Sequence, residues 1–340
     1  MLSTNPKYPS LRKLVYFIVL YVIVVIGFIN LNYLKYAELK LRPLILLNQT
    51  PAKRVAIVLF GVPKKFDLVW HAYCKRIIYM NQRPMDIFMH VYIDIETVST
   101  PRNGEYNASV TKLDEVLEIF NRTGTNVKFI KSSQKEFDES LSWIYDTEDY
   151  YKNNYTSMKN VFRQANSLLL AYESANERKY DTFLFLRSDT FLCEEIDLSV
   201  PPRGIITPGW HKWRGVNDRI ALADAREAKI YASRGEAYKH YLLSGIVNNT
   251  ESLLEKWLKD MGSRVIEDED FGFCIRLRGN IKLSKDRSRV INLHDNDVNC
   301  IFRLKPQKSP CKARKSGIDA YNELLKLMSD QYDIYYSRSS

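Results

Sequence analysis

Four short runs rich in branched and aromatic residues, "RVAIVLFGV", "MDIFMHVYID", "NVKFIKS" and "YDTFLFLRSD", are separated by stretches whose apolar residues recur at three- and four-residue spacing. Uninterrupted apolar runs of this length suit strands buried on both faces, and the spacing between them suits helices that cover those faces. Strand, helix, strand with short connections is the unit of a covered parallel sheet, so an α/β domain is expected. A helical bundle does not account for the strand runs, and an antiparallel sandwich has no use for the intervening helices.

The first run ends in Gly61 and is followed by the helical stretch "DLVWHAYCKRIIYMN"; residues 112 to 121 and Ser157 to Asn176 are also expected to be helical. The fourth run leads directly out of the last of these and ends in Arg187, Ser188 and Asp189. Beyond it the pattern loosens. The stretch from Gly204 holds a short strand, a loop rich in Gly and Trp, and helical spacing from about Lys229, with a further helix over 251 to 261. The acidic run "EDEDFGFCIRLRGN" reads as the start of a short helix, because carboxylates cap free amides and favour the positive end of the helix dipole. "KDRSRVINLHDNDV" reads as a last strand whose exit bears His294. The expected organisation is a tail over 1–13, a span over 14–31, a stem over 32–53, the α/β domain over 54–310, and a C-terminal helix with a polar tail over 311–340.

Residues 14 to 31, "LVYFIVLYVIVVIGFINL", contain no charge, and at helical rise they reach nearly across the ~30 Å hydrocarbon core, so a single N-terminal transmembrane helix is expected. A signal peptide is the main rival, but no small-x-small cleavage site follows the run. Lys7, Arg12 and Lys13 before the run are matched by Lys35, Lys40 and Arg42 after it, so basic residues leave orientation open. Asn-x-Ser/Thr triplets at Asn48, Asn107, Asn121, Asn154 and Asn248 all follow the span, which favours a cytosolic tail and a lumenal domain in the endoplasmic reticulum or Golgi.

The net charge is +10, but the basic residues are scattered among acids, and the chain has no zinc-finger spacing, RNP signature or arginine-rich arm. Nucleic acid is therefore not an expected partner. A positive excess equally suits an anionic lipid surface or a cleft for an anionic ligand. The five cysteines include no C-x-x-C pair, which argues against a structural zinc site. Cys300 and Cys311 are spaced to close a short loop by a disulfide in an oxidising compartment. The lack of G-x-G-x-x-G over residues 55 to 65 makes a Rossmann oxidoreductase unattractive, and the lack of a P-loop removes the ordinary P-loop kinase.

Four features carry polar chemistry: Asp189 after a central strand, Asn217-Asp218-Arg219 after a glycine-bearing loop, the acids Glu267 to Asp270, and His294 after a late strand. Each has a plain structural reading as a satisfied turn, a solvated helix start or a hydrogen-bonded loop histidine. Taken together they suit transfer from a nucleoside diphosphate sugar. The diphosphate leaving group needs its charge neutralised, and a hydroxyl acceptor needs a carboxylate base.

The stretches "VAIVLFG", "MDIFMHVY", "YDTFLFLRSD" and "GVNDRIALADAREAKIY" resemble the GT-A glycosyltransferase superfamily over most of residues 54 to 300, particularly small members of plants, algae and large DNA viruses related in pattern to lipopolysaccharide-synthesis enzymes of the WavE type. The resemblance implies a GT-A-like, mostly parallel central sheet flanked by helices, with a nucleoside diphosphate sugar as donor and Mn²⁺ or Mg²⁺ as cofactor. It implies a glycan, glycolipid or glycoprotein acceptor at the membrane. Phe60 and Gly61 resemble the nucleotide-side wall, and Asn217 and Asp218 the loop beside donor or acceptor sugar. Asp189 resembles the last acid of the Asp-x-Asp metal motif, but Arg187 stands where the first acid belongs. The metal would then rest on Asp189 with His294, or be replaced in part by Arg187 as a fixed cation. The superfamily's acid motif resembles Asp268-Glu269-Asp270, which implies Asp270 as general base with Glu269 and Glu267 as rivals. The imperfect metal motif also admits a catalytically silent carbohydrate-binding or scaffold protein of the same fold.

Overall fold

The structure, a computed structural model, describes residues 54–95, 97–100, 105–144, 155–175, 180–210, 212, 215–243, 250–278, 281–284, 290–291 and 315–337. The expected tail, span and stem, together with His294, Cys300 and Cys311, lie outside the described residues. No helix among the described residues is long and apolar enough to cross a membrane.

In chain order, β1 (Arg54–Phe60), α1 (Phe66–Tyr73, continued by a π-helical turn over Cys74–Ile78) and β2 (Met85–Tyr92) form the first strand-helix-strand unit. A small antiparallel hairpin follows, β3 (Thr97–Thr100) and β4 (Glu105–Ser109), then α2 (Leu113–Arg122), β5 (Val127–Ser132), α3 (Gln134–Ser140) and the long α4 (Tyr155–Glu173). The chain returns as β6 (Tyr180–Arg187) and β7 (Thr190–Leu192), and continues through β8 (Ile205–Pro208), β9 (Ile220–Ala223), α5 (Ala225–Ala232), α6 (Arg234–Leu243) and α7 (Thr250–Asp260). It ends with β10 (Val265–Asp268), β11 (Cys274–Arg276), the short pair β12 (Lys282–Leu283) and β13 (Val290–Ile291), and α8 (Lys315–Ser337).

Seven strands form one sheet in the order β10-β8-β9-β6-β1-β2-β5, and only β9 runs against its neighbours. This is the mixed α/β, mostly parallel sheet expected from the alternation. The sheet's strands in sequence follow the order 3-2-1-4-6-5-7: from β1 the chain builds outward through β2 and β5, then crosses back to lay β6 on the other side of β1. The strand order therefore reverses between β1 and β6, a switch point of the kind at whose carboxyl edge open α/β sheets bind ligands, and the segments that follow the two strands, α1 and β7, share one apolar cluster.

The two-residue period of β1 divides the core. Val55, Ile57 and Leu59 face a cluster containing α1, α2 and α8 residues, while Ala56, Val58 and Phe60 face one built on α4 and α5. On α2, Val116, Ile119 and Phe120 are buried at three- and four-residue spacing, and the Phe120 ring meets Trp70 edge-on with centroids 4.5 Å apart. Each such side chain contributes roughly 1.5–3 kcal/mol of burial.

Three expectations need correction. The helix expected from Lys229 begins at Ala225, because the Asp224 side chain caps it by accepting the Glu227 amide, and it breaks into α5 and α6 at Ser233. The C-terminal helix runs from Lys315 to Ser337 and takes in most of the stretch where a polar tail is expected. The acidic run does not start a helix. Glu267 and Asp268 end β10, Asp270 N donates to Asp268 Oδ1 at 2.8 Å in an Asx turn, and Gly272 takes φ +66°, a conformation that suits a turn and not a helix. Cys274 to Arg276 then pair antiparallel with β7.

Candidate functional site

The carboxyl edge at the switch point gathers the strand-end residues singled out from sequence. Phe60 and Gly61 close β1, and Arg187, Ser188 and Asp189 close β6. Because β9 is reversed, its entry residues Asn217 and Asp218 arrive at the same edge, with Arg187 N donating to Arg219 O at 3.2 Å. The turn at Ser188 is fully satisfied: its amide and hydroxyl donate to Phe60 O at 2.8 and 3.1 Å. The buried Tyr73 hydroxyl donates to Arg187 O at 2.6 Å and lies 2.8 Å from Thr190 Oγ1. These bonds fix the backbone from which Arg187 and Asp189, two residues apart, project to one side.

Asp189 is held by two guanidinium groups. Arg187 Nε and Nη2 each donate to one of its oxygens at 3.0 Å, a bidentate pair, and Arg276 Nε donates to Oδ2 at 2.9 Å. Arg276 reaches the site because β11 pairs with β7, and Leu277 N donates to Asp189 O at 2.7 Å. Burial alone would lift the Asp189 pKa, yet Arg187, Arg276 and Lys64 outweigh it and hold the carboxyl well below the usual range. Arg187 is likewise buried, and Asp189 and Asp218 keep its pKa raised against the desolvation. Arg187 Nη1 lies 4.0 Å from Asp218 Oδ1.

Asp218 interacts through its charge with a second acid that the sequence reading missed. Glu251 opens α7, half-buried, and is drawn against the loop before β9 by Gly215: a Cβ there would lie 2.2 Å from the carbonyl carbon and oxygen of Glu251. Val216 N donates to Glu251 O at 3.1 Å across this contact. Burial, then the charge of Asp218, raise the Glu251 pKa from 4.5 to about 7, with Arg219 and Arg187 moderating the rise. A carboxyl group poised near neutrality beside a cationic cluster is suited to accept a proton.

The other expected residues have mainly structural surroundings. Asn217 ties the loop by donating to Trp210 O and accepting from Arg219 N, both at 3.0 Å. The Phe60 ring is wholly buried beneath Arg234, whose guanidinium carbon lies 5.5 Å from it and 4.5 Å from the Tyr231 ring. Arg234 Nε and Nη1 are buried without hydrogen-bond partners. Gly61 takes φ +84°, and its amide donates to Ser167 Oγ, which lies 3.0 Å from His90 Nδ1. Burial lowers the His90 pKa to about 4, so this imidazole is neutral at pH 7.

Glu267, Asp268, Glu269 and Asp270, the acids among which the resemblance places the base, lie on the same edge and are all exposed. Glu267 pairs with Lys212, and Glu269 packs against Gly209. Their strand, β10, is three places from β6, roughly 14 Å at ordinary strand spacing.

The described residues do not fit the divalent ion that the resemblance implies. Both Asp189 oxygens are occupied by guanidinium groups, and no group of three or more His, Cys, Asp and Glu among the described residues is arranged to hold a metal. His294 lies outside the described residues. Cys74, Cys193 and Cys274 are buried thiols within the core. Compared with known proteins, the chain matches no family model and no curated relative.

Proposed function

We propose that the chain is a membrane-anchored glycosyltransferase of GT-A type, moving a sugar from a nucleoside diphosphate sugar to a hydroxyl of a glycan, glycolipid or glycoprotein. In this reading residues 14 to 31 anchor it and the domain from residue 54 lies in the lumen of the endoplasmic reticulum or Golgi. The observation that carries it is the pairing, at one switch point, of a buried guanidinium cluster around Arg187 and Arg276 with the adjacent carboxylates of Asp218 and Glu251. A diphosphate leaving group and a hydroxyl nucleophile need those two kinds of group side by side.

In the transfer step the acceptor oxygen bonds to the anomeric carbon as the bond from that carbon to the diphosphate oxygen breaks. Glu251, deprotonated above about pH 7, takes the hydroxyl proton. The diphosphate leaves with the bonding pair, and its added negative charge falls on the guanidinium groups. The strand order, which reverses between β1 and β6, supports this reading because open α/β sheets bind their ligands at the carboxyl edge of such a switch point. A screen of nucleotide sugars for released nucleoside diphosphate, followed by linkage analysis of the product, tests it. Glycan binding with no nucleotide-dependent product would replace it with the silent, scaffold reading.

A further inference from the structure

We infer that Asp189 is a positioning counter-ion and not a metal ligand, so that the centre takes the diphosphate of its donor on Arg187 and Arg276 without a divalent cation. The inference rests on the glycosyl-transfer reading and goes beyond it by naming what neutralises the phosphates. A carboxylate that coordinates Mg²⁺ or Mn²⁺ must turn an oxygen lone pair to the ion, and such ions gather several oxygen ligands. Asp189 instead receives three charge-assisted hydrogen bonds, two from Arg187 and one from Arg276, inside a region where its side chain is 5% exposed. Bringing a divalent cation to the same oxygens would set it against two guanidinium groups, with Lys64 adding to the repulsion.

The same geometry suits a phosphate. The bidentate bond orients the planar guanidinium of Arg187, and the antiparallel register of β7 and β11 fixes Arg276 alongside. Arg276 is the more accessible of the two, its side chain 20% exposed against 7% for Arg187. Two held guanidinium groups present fixed positive charge where a metal would otherwise stand, and guanidinium geometry matches phosphate oxygens directly.

The test is calorimetric binding of a nucleoside diphosphate panel and of inorganic pyrophosphate to the full chain in detergent, in EDTA and then with Mg²⁺ or Mn²⁺. Binding in EDTA that added metal improves by less than about threefold is expected, and Arg276→Gln should weaken it roughly tenfold or more, with Arg276→Lys falling between. Asp189→Asn should weaken the metal-free binding because Arg187 and Arg276 lose their orienting partner. A folded Asp189→Asn variant that binds in EDTA as wild type does would overturn the positioning role. Arg276 variants, more exposed, give the readout if Asp189→Asn fails to fold. Nucleotide binding that appears only with metal would overturn the inference while leaving the glycosyl-transfer reading in place. No binding by any phosphate ligand under any condition would remove both.

Discussion

Replacing Glu251 by Gln probes an acid that the site poises near neutrality. Its folded pKa is raised from 4.5 to about 7, first by burial and then by Asp218. A raised carboxyl binds more protons folded than unfolded, so its contribution to stability is fully present below about pH 4.5 and is lost as pH rises through about 7. At about 1.4 kcal/mol per unit the shift sets a ceiling of ~3 kcal/mol, which partial exposure trims to ~1–2 kcal/mol. Gln resembles the protonated acid and does not titrate. Urea unfolding should therefore show Glu251→Gln matching wild type near pH 4 and exceeding it by ~1–2 kcal/mol at pH 8. Transfer should fall roughly 100-fold in the same variant, and the wild-type rate should rise with pH through about 7. Asp218→Asn should draw that rising limb toward lower pH, since it removes the neighbouring charge. Parallel pH–stability curves for wild type and Glu251→Gln would refute the reasoning, because the acid would then have no raised pKa to lose.

Gly215→Ala places a Cβ 2.2 Å from the Glu251 backbone, so it should cost ~1–3 kcal/mol in thermal or urea unfolding and shift the rate's pH limb downward as the loop retreats from α7. Asp270→Asn changes an exposed side chain, so its stability should stay within ~0.5 kcal/mol of wild type and turnover should fall far less than in Glu251→Gln; a collapse in turnover would return the base to the acidic run. Tyr73→Phe removes the 2.6 Å bond to Arg187 O and should cost ~1 kcal/mol in unfolding while raising the donor KM more than it lowers kcat.

The parts of the fold legible in the sequence were those whose signal is local. The strands β1, β2, β5 and β6 are continuous apolar runs, and α2 and α4 keep a three- and four-residue spacing, so order and class followed from neighbours in the chain. Arg187, Asp189, Asn217 and Asp218 could be singled out because each stands where an apolar run stops or starts. Glu251 carried no such mark. It joins the site through the missing side chain of Gly215, a contact made by two segments distant in sequence. Arg276 joins through the β7–β11 pairing, hidden because the acidic run before it imitates a helix start while its Asx turn and Gly272 send the chain into a strand. Carboxylates that accept backbone amides look alike in both settings, and only the partner strand decides between them.

Burying this cluster is costly, and the cost explains its geometry. Among the described residues, Lys64, Arg187, Arg219, Arg234 and Arg276 lie in or beside the site with Asp189, Asp218 and Glu251, a dense set of charges in a poorly hydrated place. Desolvating an ion costs several kcal/mol, and its partners repay this only when hydrogen bonds are well formed, as they are between Asp189 and its two arginines. An apolar side chain of similar volume would serve packing as well or better. Like-charged guanidinium groups held together also resist one another, and a dianionic or trianionic ligand relieves that repulsion with nothing to rearrange. The proposed diphosphate would therefore stabilise the fold in proportion to its binding, by RT ln(1 + [L]/Kd), or about 2.7 kcal/mol at a hundredfold excess over Kd. If the proposed diphosphate binds here, that relief is the gain that would offset the cost of burying the charges.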